Sequence, residues 1–101
     1  MSAQFLISTT DESTSVSPTV HRAHGYVFYF VSFDVASGEP PHIHVGKGRP
    51  QPGGDAKFWL QPTRLANAGR FGRIDLRTMQ ENVDMYEAKF LEEWYEYRKR
   101  I

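Results

Sequence analysis

A chain of 101 residues with 12 basic side chains, 12 acidic ones and no cysteine has the size of one domain built on one modest core. Zero net charge supplies no bulk field toward nucleic acid or anionic lipid, and the absence of thiols excludes disulfides, thiolate metal sites and cysteine nucleophiles. No run approaches the roughly 18 apolar residues of a membrane span, and the start lacks the basic and apolar regions of a signal peptide, so a soluble cytoplasmic protein without membrane contact is expected.

In chain order, Phe5-Leu6-Ile7 suits an edge strand or an irregular arm on the core. Residues 8–18 are mostly Ser, Thr, Asp and Glu, a composition that buries little and reads as a loop or linker. Residues 1–19 are therefore expected as a flexible extension and residues 20–101 as a single domain. Tyr26-Val27-Phe28-Tyr29-Phe30-Val31-Ser32-Phe33 is aromatic and β-branched on both faces, as a central strand requires. Residues 34–41 hold Ser37-Gly38 and two prolines, so the next strand is expected to fold back antiparallel.

That next strand opens on Pro40-Pro41-His42-Ile43-His44-Val45. The prolines hold extended backbone and remove two amide donors. Side chains at i and i+2 share a face, so Ile43 and Val45 are expected in the core, with His42 and His44 paired on an exposed or half-exposed surface. After a turn-rich loop over residues 49–55, Ala56-Lys57-Phe58-Trp59-Leu60 makes a third strand, with Ala56, Phe58 and Leu60 on one face and Lys57 and Trp59 on the other. Which face meets the core is open at this stage. Residues 62–73 read as a connection carrying Arg64, Asn67, Arg70 and Arg73.

From Asp75 the period changes. Leu76, Met79, Val83, Tyr86, Phe90, Trp94 and Tyr97 recur at three- and four-residue steps, which predicts one amphipathic helix. Asp75 is its expected cap, Ile74 and Met79 its expected hydrophobic staple, and Arg98, Lys99 and Arg100 complement its negative end. The expected fold is α+β: a three- to four-stranded antiparallel sheet packed by one long C-terminal helix.

The candidate site is the His42 and His44 pair, and three readings of it stand open. As general acid and base, the two imidazoles would serve a metal-independent ribonuclease. Lys47, Arg49, Lys57 and Arg64 would then hold phosphate, and Trp59 or Tyr29 would stack a base. As metal ligands they need a third group, for which His21, His24, Asp55 and a helix carboxylate compete; none is singled out, so no metal site and no cofactor is assigned. As a structural pair they would hydrogen-bond backbone in the turn. Glu92, Glu93 and Glu96 read as a solvated helix face, and the aromatic stripe reads as core.

The order Gly25-Tyr26-Val27-Phe28-Tyr29-Phe30, then Glu39-Pro40-Pro41-His42-Ile43-His44-Val45, then a late helix with Glu93-Trp94 resembles the bacterial family called domain of unknown function 4160. The resemblance covers residues 20–97. The chain departs from the family pattern in a longer turn over residues 34–41 and in longer loops over residues 49–55 and 61–73. The resemblance implies a small α+β domain in a bacterial or phage setting, one half of a toxin-antitoxin module, with the His pair as its functional residues. The expected function is a toxin-like component that cleaves RNA, its partners being RNA and a small cognate antitoxin-like protein, with the oligomeric state open. Its rivals are a non-enzymatic interaction module that works by strand addition and a His-x-His metal-binding hydrolase.

Overall fold

The computed structural model describes residues 16–101. The Phe5-Leu6-Ile7 run and residues 1–15 of the expected extension lie outside the described residues. Five strands, β1 (Val16–Ala23), β2 (Tyr26–Val31), β3 (His42–Lys47), β4 (Ala56–Leu60) and β5 (Thr63–Asn67), pair in chain order as an antiparallel sheet. A short helix, α1 (Ser32–Ala36), follows β2, and α2 (Arg73–Met85) and α3 (Glu87–Arg100) end the chain. The α+β class and the antiparallel sheet are as expected; the sheet is wider than expected, and the long helix is two.

Both extra strands are edges. β1 takes in Val16 to Pro18, which composition placed in a loop, because pairing with the apolar β2 supplies the order that its own side chains do not. The hairpin between them turns at His24 and Gly25, both at positive φ (54° and 82°), as a two-residue turn matched to strand twist requires. β5 lies inside the stretch expected as a connection. Arg64 to Asn67 are exposed, so β5 lacks the alternation that reveals a half-buried strand. With both edges in place the central strand is β3, and Ser32 and Phe33 leave β2 for α1.

One face of the sheet carries Phe28, Phe30, Ile43, Val45, Ala56, Phe58 and Leu60, which pack with Met79, Val83, Phe90 and Trp94 of the helices in a continuous buried core. Phe90 stacks on Phe28 and Trp94 meets Phe30 edge-on, at centroid distances of 5.6 and 5.3 Å. The predicted apolar stripe is intact, but the helix breaks at Tyr86 (φ −108°, ψ 19°). A straight helix over residues 73–100 would be about 42 Å long, whereas five strands span about 19 Å. The break lets α2 lie over β4 and β5 while α3 runs on to α1. Gly72 rather than Asp75 precedes α2, and Ile74 is 82% exposed, so the expected cap and staple do not form. Asp75 instead accepts hydrogen bonds from the Tyr26 hydroxyl and Lys47 Nζ, tying the first turn of α2 to β2 and β3.

His21 sits between β1 and α3, its ring 4.2 Å from that of Tyr86 and its Nδ1 accepting from Lys89 Nζ at 3.1 Å. Burial, assisted by the Lys89 charge, lowers its pKa. A lowered imidazole pKa means that the unfolded chain takes up a proton first, so this contribution to stability is complete above the unfolded pKa of about 6.5 and is lost as pH falls toward the folded value. Urea denaturation at stepped pH is expected to show stability declining below that point, with a shallower decline in His21→Leu. An unchanged slope in the variant would remove His21 from the account. In the core, Trp94→Ala is expected to cost about 3–5 kcal/mol in the same assay.

Candidate functional site

The opposite face of the sheet buries Val27 together with a polar cluster. Register places Tyr29, His44 and Lys57 in one cross-strand row and His42, Trp59 and Arg64 in the next. Ile43 and Val45 take the core side as expected, but the histidines are not exposed: His42 has 0% and His44 7% of its surface accessible. Strand order pairs both edges of β3, and its second face is covered by α1 and by neighbouring rings. Trp59 and Trp94 close on the His42 ring, with centroids 5.7 and 5.1 Å away, and Tyr29 stacks on His44 at 5.4 Å.

The residue that completes the pair is Asp34 of α1, which sequence reasoning missed. Its Oδ2 lies 2.8 Å from Nε2 of His42 and 3.1 Å from Nε2 of His44. α1 turns Val35 into the core (1% exposed) and Asp34 toward β3, so one helical turn fixes the carboxylate over both rings. The signal available in the sequence was an acid between two apolar residues, Phe33-Asp34-Val35, eight positions before His42. The Ser-Gly-Pro-Pro chemistry that follows it made the stretch read as turn.

Nδ1 of His42 lies 3.0 Å from the Pro40 carbonyl oxygen. A carbonyl only accepts, so Nδ1 carries a proton, and in a neutral ring the lone pair then sits on Nε2, facing the Asp34 carboxylate. Such a pairing is repulsive unless a proton or a metal cation lies between the two atoms. Glu39 Oε1 stands 3.7 Å from the same Nδ1. Burial lowers the His44 pKa against the opposing pull of Asp34, and favours the neutral ring. Burial acts to raise the Asp34 pKa, but contacts from His42 and His44 outweigh it and hold the carboxyl below its usual range. Nδ1 of His44 is buried with no hydrogen-bond partner among the described residues.

A second buried carboxylate adjoins this cluster. Asp55 accepts from the Tyr29 hydroxyl (2.6 Å), the Gln51 amide (2.7 Å) and Arg70 (3.2 Å). It lies where a Cβ on Gly46 would stand, at 2.3 Å. Burial and the Asp55 carboxylate raise the Tyr29 pKa far above its ordinary value, so the hydroxyl stays a donor. Asp55, proposed from sequence as a third metal ligand, is therefore engaged elsewhere. His21 lies against α3, and His24 is at the β1–β2 turn.

The predicted substrate-binding residues separate into two groups. Trp59 and Arg64 lie together with Pro40, Pro41 and Gln61 around a cavity of about 200 Å³, which none of Asp34, His42 and His44 lines and which Trp59 separates from His42. Lys57 joins them, its Nζ 4.7 Å over the Trp59 ring and 3.2 Å from Glu39 Oε1. Lys47 does not, because its Nζ is held 3.1 Å from Asp75, on the face that packs the helices. Arg49 is exposed in the loop after β3.

The chain belongs to the domain of unknown function DUF4160, whose sequence pattern matches residues 25–95, a span that holds the whole cluster and all of β2 to β5. No curated protein and no solved structure matches the chain. No helix among the described residues is long and apolar enough to cross a membrane.

Removing Asp34 leaves two buried imidazole nitrogens without a partner, so Asp34→Ala is expected to lower stability by about 2–4 kcal/mol in urea denaturation. Gly46→Ala drives a methyl group into the Asp55 carboxylate and is expected to cost at least as much. A Gly46→Ala protein with wild-type stability would contradict the packing of Asp55 on β3.

Proposed function

We propose that this protein is a toxin-like component of a bacterial two-component module and that it acts on RNA, with Asp34, His42 and His44 as its chemical centre. The observation that carries the reading is the cavity against Trp59, whose ring packs on His42 of the centre. Trp59 offers a face for a base, Gln61 an amide that both donates and accepts, and Arg64 a cation for phosphate, against the rigid wall of Pro40 and Pro41. Asp34 and His44, with 18% and 9% of their side-chain surface exposed, are the members that substrate can approach. His42 has both ring nitrogens engaged and acts here as the residue that positions Asp34.

The test separates binding from chemistry. Trp59→Ala and Arg64→Ala are each expected to weaken binding of a short single-stranded RNA about tenfold, whereas Lys47→Ala leaves it unchanged. Asp34→Asn and His44→Gln proteins that keep the wild-type circular dichroism are expected to lose RNA cleavage and growth inhibition on expression. Full cleavage and toxicity in both folded variants would reject the assignment.

A second reading, an interaction module without chemistry, is favoured by the β5 edge, where Leu65 is 42% exposed beside an apolar groove lined by Phe58, Leu76, Arg73, Arg77 and Gln80. A wild-type protein that leaves RNA intact yet binds a cognate partner, with binding abolished by Leu65→Lys, would replace the first reading with this one.

A further inference from the structure

We propose that Asp34, His42 and His44 bind one divalent transition-metal ion of the zinc type. The inference deepens the reading above by naming the ion that its centre takes, and metal binding is measured without RNA, so the two fail separately.

The donor set comes first. Asp34 Oδ2, His42 Nε2 and His44 Nε2 converge, with one ligand atom from each residue within 4.8 Å of the others. Ligands held about 2.0–2.2 Å from a common centre in tetrahedral array stand about 3.3–3.6 Å apart. The separations of 2.8 and 3.1 Å between Asp34 and the two rings need to open by about 0.2–0.8 Å to reach that spacing. Two imidazoles and one carboxylate, with no thiolate in the chain, select a borderline ion such as zinc or cobalt over calcium or magnesium.

The independent observation is the state of the His42 ring. Its Nδ1–H donates to the Pro40 carbonyl, the outer hydrogen bond that a metal-ligating histidine ordinarily makes and that presents Nε2 as a lone-pair donor. In the neutral ring two lone-pair atoms face each other at 2.8 Å, and a proton or a metal cation between them relieves the repulsion, the metal by coordination. The donors are also held rigidly. His42 is closed in by Trp59 and Trp94, and His44 lies under Tyr29. The Asp34 side chain, 18% exposed, leaves a path from solvent.

The chain carries four histidines, so the experiment uses full-length protein without a histidine tag, and Zn²⁺ and Co²⁺ as probes. Equilibrium dialysis with elemental analysis is expected to give one zinc per chain, and Co²⁺ to give visible absorption of a four- or five-coordinate site. In ¹⁵N-resolved NMR of the wild type, zinc is expected to shift the Nε2 signals of His42 and His44 and to leave those of His21 and His24 in place. Asp34→Asn and His44→Gln are expected to weaken zinc binding by more than about 100-fold, and His24→Asn to leave it unchanged. Wild-type protein that takes up no zinc, or zinc that shifts His21 or His24 instead of the β3 pair, would overturn the proposal. So would folded Asp34→Asn and His44→Gln proteins that bind as the wild type does, and the NMR arm decides the matter if those variants do not fold. If RNA is cleaved equally with and without a chelator while zinc binds, the site stands and its part in cleavage falls.

Discussion

The constraint on which the structure depends is that β3 is central and carries histidines on one of its two buried faces. A central strand has both edges paired, and here α1 and the rings of Tyr29, Trp59 and Trp94 also close the histidine face, so each buried ring nitrogen needs a partner or costs stability. The partner is one oxygen of Asp34. To deliver it, the chain must leave β2, turn through α1 and seat Val35 in the core, and only then can the Pro40-Pro41 segment lead back into β3. The arrangement of β2, α1 and β3 is thus set by a polar requirement as much as by the apolar stripe of the helices.

The polar face continues beyond that cluster. Asp55 accepts from Tyr29, the Tyr29 ring lies on His44, and His44 meets Asp34. Two carboxylates, one from α1 and one from the loop before β4, are thereby joined through two neighbouring strands. Breaking one member uncovers the next, which is why such networks fix a single arrangement more firmly than the sum of their pairs suggests. Gly46 belongs to this network by lacking a side chain, since any Cβ there would occupy the place of Asp55.

Much of this was legible in the sequence, and the exceptions have physical reasons. The alternation in Ile43-His44-Val45 assigned the core face of β3, that in Ala56-Lys57-Phe58 grouped the faces of β4 without deciding between them, and the steps from Leu76 to Tyr97 assigned the helical face that packs on the sheet. The break at Tyr86 was not legible, because the stripe runs through it without interruption and the limit on helix length comes from the width of the sheet. β1 and β5 were hidden for a different reason: an edge strand draws its order from its neighbour, and its own composition need not alternate. Two of the three residues of the site were legible, His42 and His44. Asp34 was not, because local pattern shows which residues share a strand and gives no sign of a carboxylate brought over them by a turn of chain.

The strand order has one more consequence. Every strand pairs with its neighbour in sequence, so each sheet contact closes a loop of modest length, and the entropy lost at each closure stays small. A chain of this kind can assemble hairpin by hairpin, with short-range pairing ahead of the docking of α2 and α3, and belongs among the faster-folding sheet topologies. The β2–β3 hairpin has the longest intervening segment of the four, and that segment is α1, whose Asp34 reaches the far strand. The contact that forms the candidate site is therefore also the one that shortens the widest gap in the meander.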